Sequence, residues 1–219
     1  MKKIIVAPSI LSADFNNLLK DIKLVEDGGA QFLHFDVMDG HFVPNISFGV
    51  PVLKSIAKSH KMVNDVHIMI SDPLKYAPEF IKSGADYLTF HYEACKDDNE
   101  VKKVIDLIHE LGAKAGMSIK PKTEVQVCDK FLKDLDMLLV MSVEPGFGGQ
   151  SFMPNALDKI AYLRKLIDKN GYKCLIEVDG GINNETGKLC KDAGVDVLVA
   201  GSYLFGHEDI KERIAGLKK

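Results

Sequence analysis

The sequence predicts an α/β chain closed into a (βα)8 TIM barrel, and three observations lead there. Eight apolar runs alternate with amphipathic stretches across 219 residues. One local pattern recurs: a glycine, a small or β-branched residue, a polar residue, then an apolar run. It is read at Gly29-Ala30-Gln31-Phe32, Gly84-Ala85-Asp86-Tyr87, Gly112-Ala113-Lys114-Ala115 and Gly194-Val195-Asp196-Val197. The glycine suits the left-handed end of a helix, so each occurrence marks a helix-to-strand junction. The rival fold is an open doubly wound sheet, usually marked by a glycine-rich phosphate loop after its first strand. Here Ser12-Ala13-Asp14-Phe15 stands in that place.

The first strand is expected over Ile4–Leu11, rich in β-branched and aliphatic residues. A helix follows in Leu18–Val25, with Leu18, Leu19, Ile22 and Val25 on one face and charged residues between them. The second and third strands are read in Phe32–Met38 and Val63–Ile70, the fourth in Tyr87–Glu93. Val101, Val104, Ile105, Ile108 and Leu111 give the next helix its 3.6-residue period. The fifth and sixth strands are Lys114–Ile119 and Met137–Val143. A helix over Ala156–Ile167 carries Ile160, Leu163, Leu166 and Ile167. Cys174–Asp179 and Val195–Ala200 complete the set. Strands apolar on both faces, alternating with helices, mean a parallel sheet covered by helices. No linker or composition shift divides the chain, so residues 1–219 read as one domain.

Composition narrows the function classes. Apolar residues make 46%, and 28 basic against 31 acidic side chains leave a net charge of -3. That balance gives no support to electrostatic nucleic-acid binding, which needs a basic excess. No apolar run approaches the ~20 residues of a membrane helix. The start Met1-Lys2-Lys3 and the apolar run behind it resemble a signal peptide, but Pro8, Ser9 and Asp14 interrupt it and no small-residue cleavage site follows. Cys95, Cys128, Cys174 and Cys190 are far apart and read as reduced thiols. A cytoplasmic protein is expected.

Active sites of such barrels lie at the C-terminal strand ends. There the sequence places His34, Asp36 and Met38 on one face of the second strand, and His67 and Met69 on one face of the third. Asp179 ends the seventh strand, Ser9 follows the first, and Met141 belongs to the sixth. Two histidines and two aspartates from three strands form either a His2Asp2 site for zinc, iron, manganese or cobalt or a metal-free polar cluster; the metal site is the favoured reading. Glycine loops follow three successive strands: Gly146-Phe147-Gly148-Gly149, Gly180-Gly181, and Gly201-Ser202. Backbone N–H groups in such loops suit a phosphate. His91 and Glu93 are read either as partners of the metal ligands or as polar rim residues. Lys120 is read as solvated, Lys96-Asp97-Asp98 as a solvated loop, and His41, His60, His109 and His207 receive no role.

These segments resemble the ribulose-phosphate 3-epimerase family across essentially the whole chain. The resemblance rests on APSILSADF from Ala7, HFDVMDGHFVPN from His34, DVHIMI from Asp65, VMSVEPGFGGQ from Val140 and EVDGGI from Glu177. It implies a barrel of the ribulose-phosphate binding type that inverts C3 of D-ribulose 5-phosphate through a 2,3-enediolate. It implies Asp36 and Asp179 as opposed acid and base. One divalent metal, zinc by preference, would be held by His34, Asp36, His67 and Asp179. Substrate contacts would come from Ser9, His67, loop 146–149, Asp179, Gly180, Gly181, Gly201 and Ser202. Met38, Met69 and Met141 would form an apolar wall. A homo-oligomer, dimer or hexamer, is implied too. Two departures are Ser142 in place of a common threonine and Ile119-Lys120-Pro121 in place of Leu-Asn-Pro. The alternatives are D-allulose 6-phosphate as substrate, a metal-dependent hydrolase, and a non-catalytic sugar-phosphate sensor.

Overall fold

The computed structural model describes residues 3–219; Met1 and Lys2, the first residues of the basic start, lie outside them. The eight strands are β1 (Ile5–Pro8), β2 (Phe32–Met38), β3 (Val63–Met69), β4 (Tyr87–His91), β5 (Lys114–Ile119), β6 (Met137–Met141), β7 (Leu175–Asp179) and β8 (Val197–Ala200). All pair in parallel, in the order β1-β8-β7-β6-β5-β4-β3-β2. A parallel bridge between Ser9 and His34 joins the two ends, and the sheet closes on itself. Around it run α1 (Leu18–Asp27), α2 (Val50–Ile56), α3 (Pro73–Lys82), α4 (Asp98–Glu110), α5 (Asn155–Asn170), α6 (Asn184–Ala193) and α7 (Ile210–Lys218). None of these helices is long and apolar enough to cross a membrane.

Several boundaries differ from the sequence reading. β1 stops at Pro8 because Ser9 caps a short 3-10 turn, Ile10–Ser12. β4 stops at His91 because Tyr92–Ala94 turns in the same way. β6 stops at Met141, and β8 begins at Val197. Asp98, expected in a solvated loop, opens α4, and the Asp97 side chain caps it by accepting from Glu100 N. Between β5 and β6 the chain forms only the 3-10 turn Val125–Cys128. Its first residues are committed instead to a tight loop, 120–123, where Lys159 Nζ donates to the carbonyls of Lys120, Pro121 and Thr123. The junction glycines behave as their pattern requires: Gly29, Gly84, Gly112 and Gly194 all have positive φ.

The polar residue just ahead of each even-numbered strand has a job as well. Gln31, Asp86, Asp136 and Asp196 each stand just ahead of an even-numbered strand. Their side-chain oxygens accept the backbone N–H of Val6, Asn64, Ala115 and Ile176, at 3.1, 2.7, 2.9 and 2.8 Å. Each therefore ties the base of an odd strand to the even strand that follows. Each backbone carbonyl of the four accepts from the next odd strand, through Val63, Lys114, Leu175 and Ile5 N. Asp196 also takes the Arg164 guanidinium at 2.5 Å.

Strand alternation sorts the core into two. Leu33, Phe35, Val66, Ile68, Leu88, Phe90, Leu138, Val140, Ile176, Val178 and Leu198 face outward and pack under the helices. The inward residues stack in layers along the barrel axis. At the base lie Phe32, Tyr87, Met137 and Val197, in one cluster with Ala7 and Val199. Above them come His34, Asp65, Thr89, Leu139 and Glu177, all fully buried. This middle layer is polar where a barrel is usually aliphatic, and it carries the site described next. The four cysteines are free thiols, and three are buried.

Removing the tie at Asp196 should weaken the barrel base. Asp196→Ala leaves Ile176 N and Arg164 Nη2 without their acceptor, a loss of about 2–4 kcal/mol. Denaturant unfolding measures it, and a change below ~1 kcal/mol would show that the tie contributes little.

Candidate active site

A cavity of about 500 Å³ opens at the C-terminal ends of the strands. Its floor holds Ser9, Asp36, Met38, Met69, Met141 and Asp179. Its wall is formed by Gly146, Phe147, Gly148, Gly149, Gly180, Gly181, Gly201 and Ser202. The structure thus gathers almost every residue singled out from sequence. His34 and His67 lie just beneath the cavity, fully buried.

Asp36 is the centre of the floor. Ser9 Oγ donates to its Oδ2 at 2.5 Å. Its Oδ1 lies 3.3 Å from His34 Nε2 and 3.1 Å from His67 Nδ1. Burial alone would raise its pKa, but the charge of the neighbouring His34, with the contact from His67, outweighs it and holds the carboxyl well below its usual range. Asp179 has the opposite environment. Burial and the neighbouring charge of Asp36 push it up to about 7. Two carboxyls facing one cavity are therefore tuned apart.

A second layer sits behind these groups. His34 Nδ1 donates to Asp65 Oδ2 at 2.5 Å, and Glu177 Oε1 lies 3.8 Å from the same nitrogen. Burial and the adjacent Asp65 hold Glu177 well above the usual carboxylate range. His67 Nε2 meets His91 Nε2 at 2.9 Å, and His91 Nδ1 meets Glu93 Oε2 at 3.2 Å. Burial lowers the pKa of His67, and pulls that of His91 down to about 4.

The residues fit a divalent metal. One nitrogen or oxygen from each of His34, Asp36, His67 and Asp179 lies within 4.8 Å of the other three. His34 Nε2 is buried with no hydrogen-bond partner, although a carboxylate oxygen stands 3.3 Å away. With Nδ1–H spent on Asp65, the free Nε2 and Asp36 Oδ1 face each other across a gap that calls for positive charge. Burial opposes a charged His34, but Asp65 and Asp36 outweigh it and raise its pKa well above the ordinary value. A cation would answer the same demand, and two imidazoles with two carboxylates suit a first-row divalent ion.

The glycine loops are shaped by close approach. Gly181 has φ +63°, and a Cβ there would lie 2.4 Å from Phe152 N. Ser142 Oγ fixes the preceding turn by donating to the carbonyls of Asp179 and Gly180 at 2.8 and 2.7 Å. Serine in place of threonine keeps that hydroxyl. Loop 146–149 is bonded to itself and to its neighbour: Gln150 Nε2 donates to Glu144 O and Phe147 O, and Asn45 Nδ2 to Gly146 O. Phe147 stands exposed at its tip.

Some lining residues escaped the sequence reading. His207 and Arg213 reach the cavity from beyond β8, where no strand end announces them. Asp65 and Glu177 were legible in principle, since each alternates with a named site residue on an inward face. Lys120, expected to be solvated, lays its Nζ 3.9 Å above the Phe42 ring. Phe42 in turn packs on His91, with ring centroids 4.8 Å apart.

Comparison with known proteins agrees with this geometry. The model of the ribulose-phosphate 3 epimerase family matches residues 5–205. A protein of Bacillus subtilis (strain 168) named ribulose-phosphate 3-epimerase is 48% identical over 214 residues, covering 97% of each chain. One of the same name from Mycobacterium bovis is 46% identical and covers 98% of this chain and 92% of its own. Among solved structures, a 3-hexulose-6-phosphate synthase superposes with a TM-score of 0.69 at 17% identity, covering 99% of this chain and 98% of its own. A 3-keto-L-gulonate-6-phosphate decarboxylase from Vibrio cholerae gives 0.72 at 16%, covering 99% and 96%. These two share the fold. With a family model spanning nearly all of it and relatives close to half identical, this chain belongs to the ribulose-phosphate 3-epimerase family.

Proposed function

We propose that the protein interconverts D-ribulose 5-phosphate and D-xylulose 5-phosphate by inverting C3. The observation that carries this reading is the pair Asp36 and Asp179, brought from β2 and β7 to one cavity and held in opposite protonation tendencies. Inversion next to a ketone needs a proton removed from one face of C3 and another delivered to the opposite face. Two carboxyls from separate strands can do both. Asp36, ionised and oriented by Ser9, takes the proton. Asp179, from β7, returns one, and the roles exchange in the reverse direction. When bound among His34, Asp36, His67 and Asp179, a divalent cation, zinc by preference, supplies a Lewis acid beside the oxygens where enediolate charge develops.

The remaining residues bind and shield. The loops at Gly146, Gly180 and Gly201 offer backbone to the phosphate. Met38, Met69 and Met141 give a polarisable wall with no exchangeable proton. Phe147, at the tip of its loop, closes over the sugar. The hexulose 6-phosphate alternative gains no support from the named relatives. The reading carries with it a single domain over residues 1–219, working in the cytoplasm as a homo-oligomer.

Three tests follow from the residues. Asp36→Asn and Asp179→Asn should each lower turnover of ribulose 5-phosphate by roughly 10²–10⁴-fold in a xylulose 5-phosphate assay. A near-normal rate in either variant would remove the two-carboxylate scheme. Dialysis against a chelator should abolish turnover, and zinc, iron(II), manganese or cobalt should restore it; full activity in the stripped protein would refute metal dependence. Gly181→Ala forces the loop away from Phe152 and should raise KM about tenfold, the equivalent of about 1.4 kcal/mol. An unchanged KM would take this turn out of the phosphate site.

A further inference from the structure

The glycine loops of the cavity offer a phosphate neutral backbone and no full charge. A phosphomonoester carries about −1.5 to −2 at neutral pH, and two carboxyls, Asp36 and Asp179, share the same cavity. The helix that starts after Gly181 does little to make up the difference, because α6 has closed its own N-terminus. The Asn183 side chain accepts from Glu185 N and Thr186 N at 2.8 and 3.1 Å, and Asn183 N donates to Thr186 Oγ1 at 2.9 Å. Among the described residues that line the cavity, Arg213 alone carries a permanent positive charge. It belongs to the first turn of α7 and is held at the Gly201 end of the cavity. Its Nη1 donates to the carbonyl of Tyr203, the residue after Ser202, at 3.0 Å. Its Nε donates to Asp209 Oδ1 at 2.7 Å, and its Cζ lies 4.9 Å from the centroid of the Tyr203 ring. The guanidinium is thus fixed in place with two of its five N–H donors spent. The Asp209 side chain is 56% exposed and that of Arg213 24%, so water screens the counter-charge more than the guanidinium.

Given the sugar-phosphate reading above, on which this step rests, we propose that Arg213 is a substrate-binding residue whose remaining N–H donors meet the phosphate at the Gly201–Ser202 turn. It supplies there the fixed positive charge that the glycine loops lack. Asp209 and Tyr203 serve as its frame: one takes Nε, the other takes Nη1 and stacks under the plane, and both Nη2 donors are left to turn to the ligand. A planar fork held in this way suits two phosphate oxygens at once, which a lysine ammonium cannot match. Arg213 thereby contributes to binding and to the choice of a phosphorylated ligand, at the end of the substrate away from the proton transfers.

Inorganic phosphate is the direct probe, because its binding is measured without turnover. By calorimetry, Arg213→Gln should weaken phosphate binding roughly 10–100-fold, the range for hydrogen bonds to a charged group. KM for ribulose 5-phosphate should rise by a similar factor, with a much smaller change in kcat. Arg213→Lys keeps the charge without the fork and should fall between the unmutated protein and Arg213→Gln. In the unmutated protein, the guanidinium ¹⁵N resonances of Arg213 should move as phosphate is added, a measurement that stands even if a variant fails to fold. Unchanged phosphate affinity in Arg213→Gln, or resonances that do not move, would overturn the assignment. Equal losses in the lysine and glutamine variants would overturn it as well, since they would mark a residue that only holds the Tyr203 turn. Turnover of ribulose 5-phosphate together with phosphate binding indifferent to Arg213 would remove this assignment alone. Phosphate binding that depends on Arg213, in a protein that does not epimerise ribulose 5-phosphate, would support the assignment and remove the proposed reaction.

Discussion

Everything at the mouth of this barrel is arranged around one buried carboxylate. Asp36 points inward from β2, where a barrel is normally packed with branched aliphatics, and an isolated charge there would be costly. Ser9 Oγ satisfies one oxygen. His34 and His67 converge on the other, and each is steadied from behind by further polar groups. The inner layer that results is polar from Asp65 and Glu177 across to His91. That layer cannot be a stability device in the ordinary sense, because a hydrocarbon layer would be easier to bury. It places a charge inside the barrel wall that water does not screen.

Separation of roles follows from the same arrangement. The two acid–base candidates are both aspartates, yet their surroundings differ in kind. Asp36 is compensated by donors, while Asp179 is left to face Asp36 with only its own turn for support. Identical side chains acquire opposite tendencies from position alone. Met38, Met69 and Met141 line the same cavity and carry no exchangeable proton.

Much of this was legible in the sequence, for physical reasons that can be named. Strand alternation put His34, Asp36 and Met38 on one face, and any closed barrel turns that face inward. Positive-φ glycines at Gly84 and Gly194 marked real junctions because few other residues adopt that backbone. Strand ends were less legible. Ser9 belongs to a turn and Glu93 to a 3-10 segment, and an apolar run does not record where its ladder stops. The departure from a helix between β5 and β6 was not legible, and the loop that opens this stretch is held by Lys159, far along the chain. Arg213 and His207 were invisible too, since they reach the cavity only through the packing of the final helix and the loop before it.

The four ties at the barrel base divide the molecule in a way the closed sheet conceals. Gln31, Asp86, Asp136 and Asp196 each clasp an odd strand to its own successor with a side chain, whereas the neighbouring seams are joined at that level by backbone carbonyls. The ties thus mark four strand pairs, each fastened at its base within a short span of chain. Contacts that close over short spans form early and at small entropic cost. The mouth, where Asp36 and Asp179 meet from different pairs, is the part whose geometry depends on all four.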